Sequence, residues 1–158
     1  MAKKRENRKN PMDERDREFE QKLVDLARVT RVTKGGKRMN FRATMVIGDK
    51  KGRVGFGIGK AGDVSIAISK AVKSAKKKLI TVPMHNETIP HEVLAKYCSG
   101  KVMLKPAVKG KGIKAGGVMR TVLGLSGVPN VTGKILGSSN KINTLYATFL
   151  ALSQLRNK

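Results

Sequence analysis

The sequence is poor in several residue types, and each scarcity excludes a class of protein. Among 158 residues there is one cysteine, Cys98, and no tryptophan. A single cysteine cannot form a disulfide within the chain, which is consistent with a reducing compartment. The chain has no stretch of 18 apolar residues, and its first ten residues, MAKKRENRKN, lack the apolar core of a secretory signal. The sequence therefore predicts neither a membrane span nor a leader.

Acidic residues are also scarce. Of eleven Asp and Glu side chains, seven lie in the first 25 residues, and none follows Glu92. With 34 lysines and arginines, the formal net charge is +23. Soluble surfaces normally mix both signs, so such a chain repels itself unless it lies against an anion. This charge predicts a polyanionic partner, and it favours nucleic acid over a membrane surface.

Aromatic residues make up 4% of the chain. Proteins that bind single strands usually stack bases on aromatic side chains. A basic chain with few aromatics is better suited to folded RNA or duplex, recognised through phosphates and shape. The six aromatic residues are Phe19, Phe41, Phe56, Tyr97, Tyr146 and Phe149.

The hydrophobic pattern predicts an α+β protein with a charged tail (1–20) and two small domains (21–82 and 83–158). In the first domain, an extended run breaks at a basic loop, Lys34–Arg38, and a β-hairpin follows. Asp63 then caps a helix that carries lysines on its outer side.

The second domain has the pattern ββαβα, with Asn140 as the cap of the last helix. The predicted ranges are strands at 87–96, 101–107 and 130–136, and helices at 115–126 and 141–156.

A G-x-G-x-x-G pattern at residues 57–62 resembles a nucleotide-binding loop. That fingerprint requires its glycines in the turn after the first strand of a βαβ unit, whereas these glycines lie inside the second strand of the hairpin. A P-loop is also excluded, because Ala61 follows Lys60 where Ser or Thr is required. Alternating glycines instead indicate that a helix or a phosphate backbone comes very close to this strand.

A second glycine-rich segment, Lys109–Gly117, precedes a predicted helix. Its four glycines and three lysines would direct backbone N–H groups and the positive helix end toward an anion. An RNA phosphate suits this position, and so does a nucleotide. A nucleotide-using RNA enzyme therefore remains an alternative, as does a protein that coats DNA.

The segment HNETIPHE, residues 85–92, contains residue types found at catalytic and metal sites. On one strand His85, Glu87 and His91 would share a face, as in a two-His-one-carboxylate site. Pro90 interrupts the strand, however, and the spacing is not a familiar ligand pattern. We predict hydrogen-bonded strand residues, no metal, no cofactor and no catalytic residue, with Cys98 as a buried or incidental thiol.

Six segments, taken in order, strongly resemble the small-subunit ribosomal protein five family over residues 22–152. They are KGGKR, GDKKGRVGFGIGKAGDVSIAISKAVKSAKKKL, TIPHEV, KVMLKPA, GKGIKAGGVMRTVLG and GSSNKIN. The resemblance implies a first domain similar to double-stranded RNA-binding domains. It also implies a left-handed βαβ crossover in the second, an exception to the usual hand.

The resemblance further implies a non-enzymatic constituent of the small (30S) ribosomal subunit in the cytoplasm. Such a protein would bind 16S-type rRNA, support translational accuracy and adjoin ribosomal proteins four and eight near the path by which mRNA enters. The implied protein contacts are Gly116, Gly117 and Arg120. The implied RNA contacts are Lys34, Gly35, Gly36, Lys37, Arg38, Arg42, Arg53, Gly55, Gly57, Lys60, Lys70, Lys73, Lys77, Lys109, Lys111 and Lys114.

Four residues depart from the usual pattern of that family, namely Lys111, Lys114, Gly124 and Lys141. These changes add positive charge, remove negative charge or loosen the start of a helix. We therefore expect the glycine-rich segment to depend more on RNA than on protein contacts.

Replacing Lys111 by Thr and Lys114 by Ile should weaken RNA binding, because two phosphate contacts are lost. The slope of log affinity against log salt concentration should fall by about one or two units. Filter binding over a salt series measures this slope, and an unchanged slope would contradict the expectation.

Overall fold

The structure is a computed structural model that describes residues 19–156. Most of the predicted tail, residues 1–18, lies outside this range. In chain order the elements are β1 (Glu20–Thr33), β2 (Gly36–Gly48), β3 (Arg53–Ala61), α1 (Val64–Lys76), β4 (Leu79–Thr81), β5 (Val93–Tyr97), β6 (Gly100–Pro106), β7 (Ile113–Lys114), α2 (Gly117–Ser126), β8 (Val131–Ile135) and α3 (Lys141–Ser153).

The strands form two four-stranded sheets. The first has the order β1-β2-β3-β4 and is antiparallel throughout, and the second has the order β5-β6-β8-β7 with β7 and β8 parallel. The predicted α+β class is confirmed. The domain boundary at 82/83 and the left-handed crossover stay predictions.

Glycines in β3 allow α1 to pack unusually close to the first sheet. A Cβ added to Gly57 would lie 2.1 Å from the Ala71 carbonyl oxygen, and one added to Gly59 would lie 2.2 Å from that of Ala67. Such distances cannot be relieved by a rotamer change, because the opposing atoms are backbone. The close neighbour that the alternating glycines indicated is thus a helix.

The opposite face of the first sheet packs against the second half of the chain. The Phe56 ring meets Tyr146 edge-on at 4.7 Å between centroids and lies 4.5 Å from the ring of Phe149. Val46 and Val54 belong to the same continuous core as Leu104, although they come from the other sheet. The two predicted domains therefore share one hydrophobic core.

The turn between β2 and β3 caps the C-terminal end of α2. Lys50 and Gly52 donate their backbone N–H groups to the carbonyls of Leu125 and Ser126, at 3.0 and 2.8 Å. The last carbonyls of a helix have no partner within it, so these bonds satisfy groups that would otherwise be buried unpaired. Gly127 ends the helix in the left-handed conformation, with φ +81°.

The basic loop and the first strand of the second domain were predicted with the wrong bounds. Lys34 and Gly35 alone form the turn, while Gly36–Arg38 belong to β2. The strand predicted at 87–96 is confined to β5, because Asn86 and Glu87 adopt positive φ and reverse the chain.

Both predicted helix caps lie where expected, but their side chains differ. Asn140 accepts a hydrogen bond from the Ile142 amide at 3.0 Å, whereas the Asp63 side chain forms no capping bond. The short strands β4 and β7 were not predicted.

Replacing Gly57 by Ala should destabilise the fold by about 3 kcal/mol, because the new methyl group overlaps backbone atoms of α1. Gly62 provides the matched control, since an added Cβ there meets no atom within 4 Å. Gly62→Ala should change stability by less than about 0.5 kcal/mol. Urea unfolding of both variants tests this, and equal stabilities would refute the packing argument.

Candidate nucleic-acid interface

Strands β1 and β2 continue beyond the first sheet as a two-stranded basic arm (residues 28–40). Pairing of β2 with β3 ends at Phe41. The five residues of β2 before it, 36–40, therefore extend about 17 Å past the sheet. At the tip, the Thr33 hydroxyl donates to the Gly36 carbonyl at 3.1 Å. Side chains at positions 30–39 are exposed, and the arm has no acidic residue.

The arm places like charges directly opposite one another. Arg31 on β1 pairs with Arg38 on β2, next to the predicted contacts Lys34 and Lys37. Like charges at directly opposite positions destabilise a strand pair. An anion between the two guanidinium groups would remove this penalty. The predicted contacts did not include Arg28 and Arg31, which lie in the extended run directly before the predicted loop.

Arg42 lies at the base of the arm and is already engaged by an acidic residue. Its Nη2 is 3.5 Å from the carboxylate of Asp25, which also accepts from Lys141 Nζ at 3.0 Å. A bulge between Leu23 and Asp25 interrupts the register of β1 beside this carboxylate. Lys141, one of the four departures, thus joins the start of α3 to the first sheet.

Arg53 is likewise held within the protein. Its Nε donates to the Asp49 carboxylate at 2.7 Å, and its guanidinium lies 5.3 Å from the centre of the Phe19 ring. Burial raises the pKa of Asp49, but hydrogen bonds from the Arg53 side chain and from the amides of Lys51 and Arg53 outweigh it. The pKa of this carboxyl is therefore below its ordinary value.

The remaining predicted contacts of the first half differ in accessibility. Gly55 and Gly57 are buried beneath α1, so we leave them out of the interface. Lys60 is exposed at the end of β3, opposite Arg42. Lys70, Lys73 and the C-cap residue Lys77 are exposed and form the outer side of α1; the Cβ of Lys70 lies at its margin, next to Gly59 of β3.

The glycine-rich segment folds as a loop tied to a buried asparagine. Asn130, 4% exposed, accepts from the Gly112 amide through Oδ1 at 3.0 Å and donates through Nδ2 to the Glu87 carbonyl at 3.4 Å. The Lys111 amide donates to the Val108 carbonyl at 3.2 Å. These two loop amides are therefore not available to an anion, contrary to the expectation. The loop presents its lysine side chains instead.

The lysines and the predicted protein contacts of this loop lie on the surface. Lys109, Lys111 and Lys114 are exposed, and Lys109 forms an ion pair with Glu87 at 3.0 Å. Arg120 is exposed and donates to the Ile113 carbonyl at 3.4 Å. Gly116 and Gly117 are exposed at the start of α2.

The HNETIPHE segment is held by hydrogen bonds to residues that are distant in the chain. The Thr88 hydroxyl donates to the Asn130 carbonyl at 2.6 Å, and His91 accepts from the Arg156 amide at 3.2 Å. Among the residues that the structure describes, no group of three His, Cys, Asp or Glu side chains could hold a metal ion. Cys98 is exposed, so of the two predicted alternatives, a buried or an incidental thiol, the buried one is wrong.

Exposed cationic side chains on an α+β scaffold are typical of the class of proteins that bind nucleic acid. Within residues 19–156, no helix is long and apolar enough to cross a membrane. Two family models match the chain: the N-terminal domain of ribosomal protein S5 over residues 19–83, and the C-terminal domain of ribosomal protein S5 over residues 95–158. The chain belongs to the ribosomal protein S5 family.

A curated relative agrees with this assignment. The small ribosomal subunit protein uS5 of Mycoplasmopsis agalactiae is 51% identical over 163 aligned residues, which cover 99% of this chain and 71% of the relative. The predictions of a structural constituent of the small ribosomal subunit, and of a protein that is not an enzyme, are confirmed.

Replacing Asp49 by Asn should lower the free energy of unfolding by about 1–2 kcal/mol at neutral pH, because charge-assisted hydrogen bonds are lost. Since folding lowers this pKa, the stabilisation is complete above the unfolded value and is lost as pH falls through the folded value. The gap between the parent and the variant should thus narrow below about pH 4.

Urea unfolding between pH 3 and 7 measures this gap. The control is Asp63→Asn, whose side chain forms no capping bond and which should cost little at any pH. A gap for Asp49→Asn that stays constant down to pH 3 would show that its charge is not involved.

Proposed function

We propose that this chain binds 16S-type rRNA through the basic arm, the outer side of α1 and the lysines of the 109–117 loop. The observation that carries this proposal is the direct pairing of Arg31 with Arg38 on an exposed two-stranded arm. Such a pair is unfavourable in isolation and favourable against phosphate. The protein would act in the cytoplasm as part of the assembled subunit.

The arm suits helical RNA better than an unpaired strand. Its tip carries guanidinium and ammonium groups on a narrow ribbon, and the nearest aromatic residue along β2, Phe41, lies at its base, outside residues 28–40. A two-stranded ribbon can enter or cross a groove while its cations reach phosphates on both sides. Backbone contacts of this kind fix position and orientation.

We propose protein contacts for the start of α2. Gly116, Gly117 and Arg120 are exposed there and lie beside the 109–117 loop. Ribosomal proteins four and eight are the proposed neighbours of this half, and mRNA would pass nearby as it enters the subunit. Support for translational accuracy would follow from that location.

Replacing Arg31 and Arg38 together by Gln should reduce affinity for small-subunit rRNA. If each arginine neutralises one phosphate, the salt slope should fall by about one to two units. The matched control is Lys22→Gln with Lys51→Gln, which removes the same charge from exposed positions outside the proposed surfaces.

Filter binding to the rRNA over a salt series distinguishes the two variants. Equal slopes for them would refute a specific role of the arm. Equal affinity of the parent chain for duplex DNA of the same length would favour the alternative of a general nucleic-acid-coating protein.

A further inference from the structure

The second sheet is covered by helices on one face only, within the part of the chain described. α3 packs on β5 and β6, and the side chains on that face, such as Ala95, Val102 and Leu104, are buried. Side chains alternate between faces along a strand, so the intervening residues point to the other side. This open face consists of Leu94, Lys96, Lys101, Met103, Lys105, Lys114, Thr132 and Lys134.

Strand register concentrates five lysines on the open face. Lys96 lies directly opposite Lys101, and Lys134 lies opposite Met103 in the next row. Lys105 and Lys114 flank Thr132 in a third row. With strands about 4.8 Å apart and alternate residues about 7 Å apart, the lysines cover a patch about 14 Å across.

Acidic side chains do little to offset this charge. Lys105 pairs with Glu92 at 3.2 Å, which leaves the other four lysines of the face without an ion pair among residues 19–156. Facing lysines such as Lys96 and Lys101 destabilise a strand pair.

A lysine on an edge strand also prevents strands of different molecules from pairing, which accounts for Lys96 on β5. That explanation does not extend to Lys101 and Lys134, because β6 and β8 are inner strands of the sheet. Their positive charge therefore requires a different reason, and an external anion supplies one.

We propose that the open face binds the phosphate backbone of RNA, as a surface separate from the arm. This inference rests on the proposed rRNA-binding function and extends it to a second contact. The face carries no aromatic side chain, so it is suited to phosphates and not to base stacking. Lys114 belongs both to this face and to the 109–117 loop, which makes the two cationic surfaces continuous.

The first test is the salt dependence of rRNA binding by the full chain with Lys101→Gln and Lys134→Gln. If both lysines contact phosphates, the slope should fall by about one to two units. The control with Lys22→Gln and Lys51→Gln removes the same charge elsewhere. If the variant with Lys101→Gln and Lys134→Gln, the face variant, has the same slope as the parent chain, the inference is overturned.

The arm variant, with Arg31→Gln and Arg38→Gln, separates failure of this inference from failure of the proposed function. If the arm variant loses slope while the face variant does not, RNA binding stands and the open face has no part in it. If neither variant loses slope, both proposals fail.

The second test identifies what covers the face in the assembled particle. A photo-crosslinking amino acid in place of Met103, at the centre of the face, should form an adduct with rRNA in purified small subunits. An adduct with a protein would assign the face to an acidic protein partner and overturn the inference. Absence of any adduct, in subunits shown to contain the variant, would overturn it as well.

Discussion

Burial of strands β2 and β3 on both faces, within the first sheet, is the constraint on which the rest of the structure depends. One face accepts α1 at a distance that only glycine permits at Gly57 and Gly59, and the other supports the aromatic cluster around Phe56. Neither face of these two strands is then free for a ligand, whereas β1 at the edge of the sheet is exposed or partly buried along its length. The cationic groups proposed to bind RNA lie instead on the arm, which extends from this sheet, and on the outer side of α1.

The few carboxylates within residues 19–156 form ion pairs with some cationic side chains but not with those of the arm tip. Asp25 and Asp49 engage Arg42, Lys141 and Arg53 near the first sheet. The arm and the open face of the second sheet instead place like charges opposite one another. A free chain must bear this repulsion, whereas a chain covered by polyanion gains from it. Ion pairing thus distinguishes the cationic residues that stabilise the fold from those proposed to bind an anionic partner.

Local sequence patterns predicted the elements whose formation depends on interactions between residues that are close in the chain. The alternation in FRATMVI and RVGFGIG predicted the hairpin, and Asp63 and Asn140 were recognised as cap positions. Contacts between distant residues were not predictable from one sequence. The bond from Gly112 to Asn130 and the ion pair from Asp25 to Lys141 depend on distances that only the fold sets. The open lysine face was missed partly for the same reason, because Lys134 joins it only through the pairing of β8 with β6, and α2 lies between these strands in the chain.

The aromatic cluster has a consequence for the order of biosynthesis. Phe56 is made early, whereas Tyr146 and Phe149, which cover it, lie in the last helix. Domains normally complete their folding from the N-terminus as the chain emerges. Here one apolar face of the first sheet stays uncovered until α3 has been synthesised. The final packing of this sheet therefore follows the synthesis of α3. A chain that terminates within α3 would expose the apolar face and be prone to aggregate, instead of forming a finished first domain.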